Sequence, residues 1–396
     1  MNKALEGVRV IDLSYIVAGP SGGRTLAEYG AEVIKISNPS NVPDRTHWVE
    51  AGRGKVTMAV DLKKKEGLQV FYDLVQISDI VVENMRPDSA KRLGVDYATV
   101  SKLKPDIIYT KVTAFGLEGP WAGHPGYEPQ GQAVAGIMVR AGGRGNVPGM
   151  GPIPMNDYFT GLSCAEGALM ALVERNRTGR GQIVDTALSF SATTIQSGLA
   201  VDYPGFVRNE PEGPQVKGLN ALNRLYACSN GWIALVVAKE RDWQGLVSIK
   251  EFGGLDRDAR FATAEGRKLN DAALAPAIAV VLAGMTTEQA LGALSAAGVP
   301  AVRNTNHEEM YEDPVFRNAD LVVQRYHEWL GDFEHVGLGA HLSETPAQLG
   351  DPAPMIGKDT VRVLKEYLGY SNDRVRDLLI SGAVDSHLVP SARNAQ

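Results

Sequence analysis

Short apolar runs recur through the first third of the chain, each followed by a polar or helix-period segment. Val8 to Leu13 (VRVIDL), Glu32 to Ile36 (EVIKI), Val56 to Leu62, Ile80 to Glu83 and Ile107 to Thr113 are such runs. They are short, apolar-rich and bounded by turn or helix-period segments, the pattern of strands. Between them, the stretch through Leu26 to Tyr29 closed by Gly30, the stretch from Lys63 to Ile77, and those at Ala90 to Leu93 and Tyr97 to Leu103 are expected to be helical. Strand, helix, strand repeated in this way predicts an α/β fold with a Rossmann-like open parallel sheet. Asn38 to Gly54 and Phe115 to Met150 show no regular period and are expected to be irregular.

Gly151 to Ser189 then reads as turn, helix, glycine turn and strand. The helix carries Leu162, Ala165, Leu169 and Leu172 on one stripe, with Met170 and Val173 beside it and the small residues Gly161, Ser163 and Gly167 opposite. That stripe predicts a buried helix, ending near Asn176 at the glycines of Thr178-Gly179-Arg180-Gly181. Asp157 stands at its entrance. A carboxylate there can be an N-cap, contributing about 1 kcal/mol. Held ionised by the helix start, it can equally be a nucleophile toward an activated acyl group. Spacing alone leaves both roles open.

Beyond an apolar helical stretch and a connector at Tyr203 to Gly218, Leu225 to Val237 predicts a hairpin turning at Ser229-Asn230-Gly231. Helices follow at Asp242 to Ile249, Leu269 to Leu282 and Glu288 to Ala297, the last capped by Thr286 or Thr287. Leu321 to Phe333 and His335 to Leu342 have strand character, and Asp359 to Leu368 and Asn372 to Ser381 have helix character. The expected organisation is a large Rossmann-like domain over residues 1–202, a linker over 203–223 and a smaller α+β domain over 224–320. Residues 321–396 would return as a second linker and helices packing on the large domain.

Composition narrows the function classes. Of the 396 residues, 44% are hydrophobic and 22% charged, the balance of an ordinary globular protein. A net charge of −6 without a strongly basic tract argues against a nucleic-acid partner. The longest apolar stretch, Ala272 to Met285, is interrupted by Pro276 and too short to span a bilayer, so no membrane role is expected. Two cysteines, Cys164 and Cys228, suit a reducing cytoplasm. No spacing of histidines and cysteines suggests a metal site.

The first strand, turn and helix form the place to test for a dinucleotide. Gly19, Gly22 and Gly23 do not give the G-x-G-x-x-G spacing, and the second strand ends in Ser37-Asn38 rather than in an acid. NAD is therefore not expected. In open α/β sheets, ligands gather outside the carboxyl ends of the strands, here Tyr15 to Ala18, Ser37 to Asn41, Asn84 to Met85 and Ala114 to Gly116. Arg86, Lys91 and Arg92 beside one of these ends supply positive charge for a phosphate-bearing ligand.

The strings VRVIDLSYIVAGP, GAEVIKI, VDLKKKEG, VVENMRPDSAKRLGVDY, TAFGLEGP, GYE, TGRGQIVDTAL, AGVPAV, EDPVF and GKDTVRVLKEYLGYS occur in this order. Together with the Asp157 segment, the chain resembles the class III CoA-transferase family over nearly its whole length, with the α-methylacyl-CoA racemases as relatives. The resemblance implies that Asp157 is a nucleophile that forms an aspartyl mixed anhydride and then an enzyme–CoA thioester. It implies CoA contacts at Val17, Ala18, Val60, Asn84, Met85, Arg92 and Leu93, and an acyl pocket at Trp48, Tyr127 and Glu128. It further implies that coenzyme A enters as acyl-CoA substrate rather than as a resident cofactor, and that the protein is an interlocked homodimer.

Several positions depart from the family pattern. Val17 stands where oxalate-using members carry glutamine, and Asn38 replaces a basic residue that helps hold CoA. Gly218-Leu219-Asn220-Ala221-Leu222 takes the place of a mobile glycine loop, which argues against oxalate or formate. Tyr127 replaces a histidine that serves as a base in the racemases, which favours transfer over α-proton exchange. A racemase or isomerase, an intramolecular CoA transferase and a non-catalytic CoA-binding paralogue remain as alternatives.

Overall fold

The computed structural model describes residues 3–41, 45–143, 145–207 and 217–386. Their contacts divide into two compact units, one formed by Met1–Ile137, Met150–Pro204 and Arg317–Gln396 and the other by Met138–Gly149 and Gly205–Phe316. Residues 208–216 of the expected linker lie outside the described residues.

In the first unit the apolar runs become β1 (Arg9–Asp12), β2 (Glu32–Ser37), β3 (Val56–Val60), β4 (Ile80–Glu83) and β5 (Ile108–Thr113). The helices between them are α1 (Ala18–Glu28), α2 (Arg45–Ala51), α3 (Lys65–Gln76), α4 (Pro87–Leu93) and α5 (Tyr97–Leu103). Next come α6 (Glu128–Val134) and α7 (Ile137–Gly142), the latter belonging to the second unit from Met138 onward. The first unit resumes with α8 (Met155–Thr178), β6 (Ile183–Ala187) and α9 (Leu188–Ile195). The sheet order is β3-β2-β1-β4-β5-β6, all parallel, with the short strand Val384–Asp385 added antiparallel beside β3. This is the doubly wound order, in which the crossover direction reverses between β1 and β4.

Alternate residues of the strands feed two cores, so both faces of the sheet are covered. Ile11, Ile34, Met58 and Val81 face Phe71 and Leu74 of α3 together with Val363 and Leu364 near the C-terminus. Val10, Val33, Ile80 and Ile108 face Leu26 of α1 and Cys164, Ala165 and Ala168 of α8.

The predicted burial of α8 holds for Ala165 and partly for Leu172, but fails for the other large residues of the stripe. Its small residues Gly161, Cys164, Ala165, Ala168 and Ala171 are buried, while Leu162, Met170 and Val173 are 55%, 62% and 72% exposed. The reason is close packing against α1. A Cβ on Gly161 would lie 2.0 Å from Ser21 Oγ and 2.7 Å from the Ala18 carbonyl, and one on Gly22 would lie 2.9 Å from the Gly161 carbonyl. Only a face without side chains can approach that closely. The helix runs to Thr178 rather than to Asn176, and Gly179 ends it in the left-handed conformation (φ 73°).

Three other expectations are corrected. Asn38 to Gly54 contains α2, whose polar sequence hides its period; Val49 and Ala51 are its buried positions. Phe115 to Met150 contains α6 and α7, masked by glycine and proline content. The strands near the C-terminus are Val322–His327 and Gly331–Val336, one hairpin whose turn includes Gly331 with positive φ, so the break falls before Phe333 rather than after it.

The second unit carries a four-stranded antiparallel sheet of Ala301–Arg303, Gly231–Val236, Asn223–Cys228 and Gly218–Asn220, in that spatial order. Helices Glu240–Ser248, Asp271–Ala283 and Thr287–Ala296 close its core around Tyr226, Ile233, Trp243, Phe252 and Ile278. The helix expected over Leu269 to Leu282 is Asp271–Ala283, preceded across Asn270 by a separate short helix, Ala264–Leu269. Thr286 caps the following helix by accepting from the Gln289 N–H. Among the described residues no single helix is long and apolar enough to cross a membrane.

Candidate active site

The crevice at the switch between β1 and β4 opens into a cavity of about 300 Å³ within the first unit. Its walls come from the carboxyl ends of the strands: Tyr15, Ile16 and Ala18 after β1, Asn84 to Pro87 after β4, Ala114 to Gly116 after β5 and Leu188 after β6. Asp157 of α8 lines it together with His124 and Tyr127. The parallel sheet brings these separate loops to one edge, as doubly wound topology requires.

Asp157 is not the helix cap. Pro154 occupies the cap position without a side-chain hydrogen bond. Instead the Glu128 carboxylate accepts the Asn156 N–H at 3.2 Å and the Asp157 N–H at 2.7 Å, and also the Gln132 amide at 3.0 Å. A carboxylate from α6 thus serves the free donors of the first turn, and the Asp157 side chain is left to face the cavity. The expectation that the helix start would hold Asp157 readily ionised is corrected too. Burial and the neighbouring Glu128 charge push its carboxyl up to about 7. Desolvation and a like charge both disfavour the anion, and here they outweigh the helix dipole.

Of the residues expected to touch CoA, Ala18, Asn84 and Met85 line this cavity. Val17 and Val60 are buried, and Val60 belongs to the sheet core. Arg92 and Leu93 sit at the last turn of α4, outside the cavity lining, and Arg92 donates to Ser89 Oγ at 3.3 Å. In the expected acyl set, Tyr127 lines the cavity and Glu128 stands behind it as the cap of α8. Trp48 does not join them. It lines a second cavity of about 150 Å³, its indole N–H donating to the Pro354 carbonyl at 2.9 Å.

Asn84 has a visible task. Its Oδ1 accepts the Tyr15 N–H at 2.8 Å and its Nδ2 donates to the Tyr15 carbonyl at 2.7 Å. The turn carrying Asn84 is fixed in turn by Glu83, which accepts the Met85 N–H at 2.6 Å and the Lys111 ammonium at 2.7 Å. This clamp holds the β1 loop where Ile16 adopts a left-handed conformation (φ 67°). A β-branched residue in that region is a strained outlier, of the kind that collects at functional sites. Phe115 lies in the strand end Ala114 to Gly116 expected from the sequence, whereas His124 is a lining residue that the sequence did not single out, because nothing in the glycine-rich stretch around it marks which residues face inward.

Comparison with known proteins agrees with the topology. The family profile described as CoA-transferase family III matches residues 5–360. Succinyl-CoA:glutarate CoA-transferase of Homo sapiens is 27% identical, covering 97% of this chain and 91% of the human protein. Formyl-CoA:oxalate CoA-transferase of Streptomyces coelicolor is 27% identical over 96% of this chain and 99% of its own length. Among solved structures, a CAIB/BAIF family protein from Brucella suis superposes with a TM-score of 0.82 at 26% identity, over 92% of this chain and 100% of that one.

Proposed function

This chain belongs to CoA-transferase family III, and from that premise we propose that it moves CoA from an acyl-CoA to a free carboxylic acid with Asp157 as the nucleophile. The observation that carries this reading is one buried carboxylate at the strand-end cavity, beside Ala18 and Asn84. A carboxylate oxygen of Asp157 attacks the thioester carbonyl, the C–S bond breaks, and CoA leaves as thiolate with an aspartyl mixed anhydride left behind. The thiolate then attacks the aspartyl carbonyl and releases the donor acid, forming an enzyme–CoA thioester. The acceptor carboxylate repeats the two steps in reverse order. Splitting the exchange in this way keeps each leaving group bound and the acyl level conserved.

Each residue near Asp157 has a part in this scheme. Ala18, Met85 and the Asn84 turn form the edge along which the CoA thioester lies. Glu128 positions Asp157 by capping its helix, and its charge raises the basicity of the nucleophile. Coenzyme A is substrate here, and no resident cofactor takes part. A homodimer belongs to the same reading, supported by the exposed apolar side chains of α8, Leu162, Met170 and Val173.

The test is mass spectrometry after incubation with acyl-CoA donors such as succinyl-CoA. The wild-type chain is expected to gain CoA at Asp157 as a hydroxylamine-sensitive adduct, and Asp157→Ala is expected to show no adduct and at least about 10³-fold slower transfer. Full transfer by Asp157→Ala would overturn the nucleophile.

A further inference from the structure

β4 ends in Glu83, and the parallel register places Lys111 of β5 beside it. Both are buried, Glu83 at 0% and Lys111 at 4% exposure. The Lys111 ammonium donates to both Glu83 oxygens at 2.7 Å and, with its third N–H, to the Met85 carbonyl. Glu83 also accepts the Met85 N–H at 2.6 Å and the Tyr109 hydroxyl at 3.1 Å. An ammonium has three donors and a carboxylate about four acceptor sites, so both groups are fully occupied. A buried polar network satisfied on every side is rigid.

The pair grips Met85 at both ends of its backbone unit, the N–H through the anion and the carbonyl through the cation. That fixes the Asn84–Met85 turn. Asn84 repeats the grip one step nearer the cavity, accepting the Tyr15 N–H at 2.8 Å and donating to the Tyr15 carbonyl at 2.7 Å. The next residue, Ile16, holds its left-handed conformation (φ 67°) and lines the cavity with Asn84, Met85 and Asp157. A β-branched residue stays in that region only while its surroundings over-determine it. Neither Glu83 nor Lys111 lines the cavity, so they reach it through these successive backbone grips.

We infer that Lys111 is a positioning residue for the CoA thioester, acting through Met85 and Asn84 to hold the Tyr15–Ile16 wall of the Asp157 cavity. The inference rests on the proposed reading of that cavity as the CoA site. What Lys111 supplies is a donor for the Met85 carbonyl as well as a charge for Glu83. Burial pushes the Glu83 carboxyl up even beside this ammonium, so removal of Lys111 alone would leave Glu83 protonated. Glu83→Gln imitates that neutral form and still offers an acceptor to the Met85 N–H.

The test separates holding the fold from holding the wall. Lys111→Met combined with Glu83→Gln removes both charges together and leaves no unpaired ion in the interior, so its melting temperature should stay within several degrees of wild type. Calorimetry of the full chain with free CoA is expected to show binding by the wild type and binding about tenfold weaker or worse in this double variant. With succinyl-CoA, the half-saturating concentration for adduct formation should rise, while the inflection near pH 7 stays, because Asp157 and Glu128 are untouched. Asn84→Ala cuts the relay one step later. It should weaken CoA too, and its combination with the double variant should lose clearly less than the product of the separate losses. Unchanged CoA binding in the double variant, or losses that multiply in full, would overturn the relay and leave the CoA site standing. Unchanged binding in Asn84→Ala would overturn it as well, and that variant leaves the buried pair in place. A wild-type chain that binds no CoA would overturn both the site and the relay.

Discussion

At the scale of single residues, Asp157 and Glu128 form the informative pair. Two carboxylates meet at one helix start, and the structure divides their tasks: Glu128 takes the backbone donors, and Asp157 faces the cavity. Its carboxyl, pushed up to about 7 first by burial and then by Glu128, is largely protonated in acid and ionised only above neutrality. The nucleophile in the proposed reaction is the ionised form. The rate of adduct formation should therefore rise with pH through about 7 and level off above it, being roughly tenfold lower at pH 6 than at pH 8. Glu128→Gln removes the like charge but not the burial, so the inflection should move to lower pH without returning to the ordinary carboxylate range. A pH–rate profile of adduct formation checks both statements. An inflection that stays at the wild-type position in Glu128→Gln would show that its charge has no effect on Asp157.

The element that decides most of the architecture is α8. Sequence period singles out its large apolar stripe as the buried face, yet the small face is the one that packs. Hydrophobic burial is non-directional, whereas the approach of α8 to α1 depends on Gly161 and Gly22 having no side chains. Gly161→Val should therefore cost about 1–3 kcal/mol or more in urea denaturation, as overpacking does. A loss below about 0.5 kcal/mol would contradict the close contact. The charged positions Asp12, Lys35 and Lys55 are the complementary case. A charge inside an apolar-rich run, as at Asp12 and Lys35, is visible in the sequence, but the partners of these three come from separate strands and loops.

For the whole molecule, the exposed side of α8 states the problem of association. Leu162, Met170 and Val173 leave a row of apolar side chains uncovered within this chain. Large exposed apolar patches commonly mark interaction surfaces, and the proposed homodimer would cover this one. Sedimentation velocity should give a dimer for the wild-type chain, and Leu162→Glu with Val173→Glu should shift it toward monomer. A wild-type monomer at micromolar concentration would count against the dimer.

Much of the fold was legible in the chain itself. Short apolar-rich runs alternating with helices are enough to predict an open parallel sheet, because strand, helix, strand in sequence closes into right-handed parallel units. The absent G-x-G-x-x-G spacing argued against a dinucleotide for an equally local reason, since that turn is built from consecutive residues. Asp157 was also locatable, as an acid at a helix start, but its role was not. Whether it caps or faces the cavity depends on Glu128, 29 positions away in sequence, and only the packing of α6 on α8 brings the two together. The buried lysines and the burial of the small residues of α8 were likewise decided by tertiary structure. Local periodicity records which side chains avoid water; it does not record which backbones come close, or which charges are left without a partner when they do.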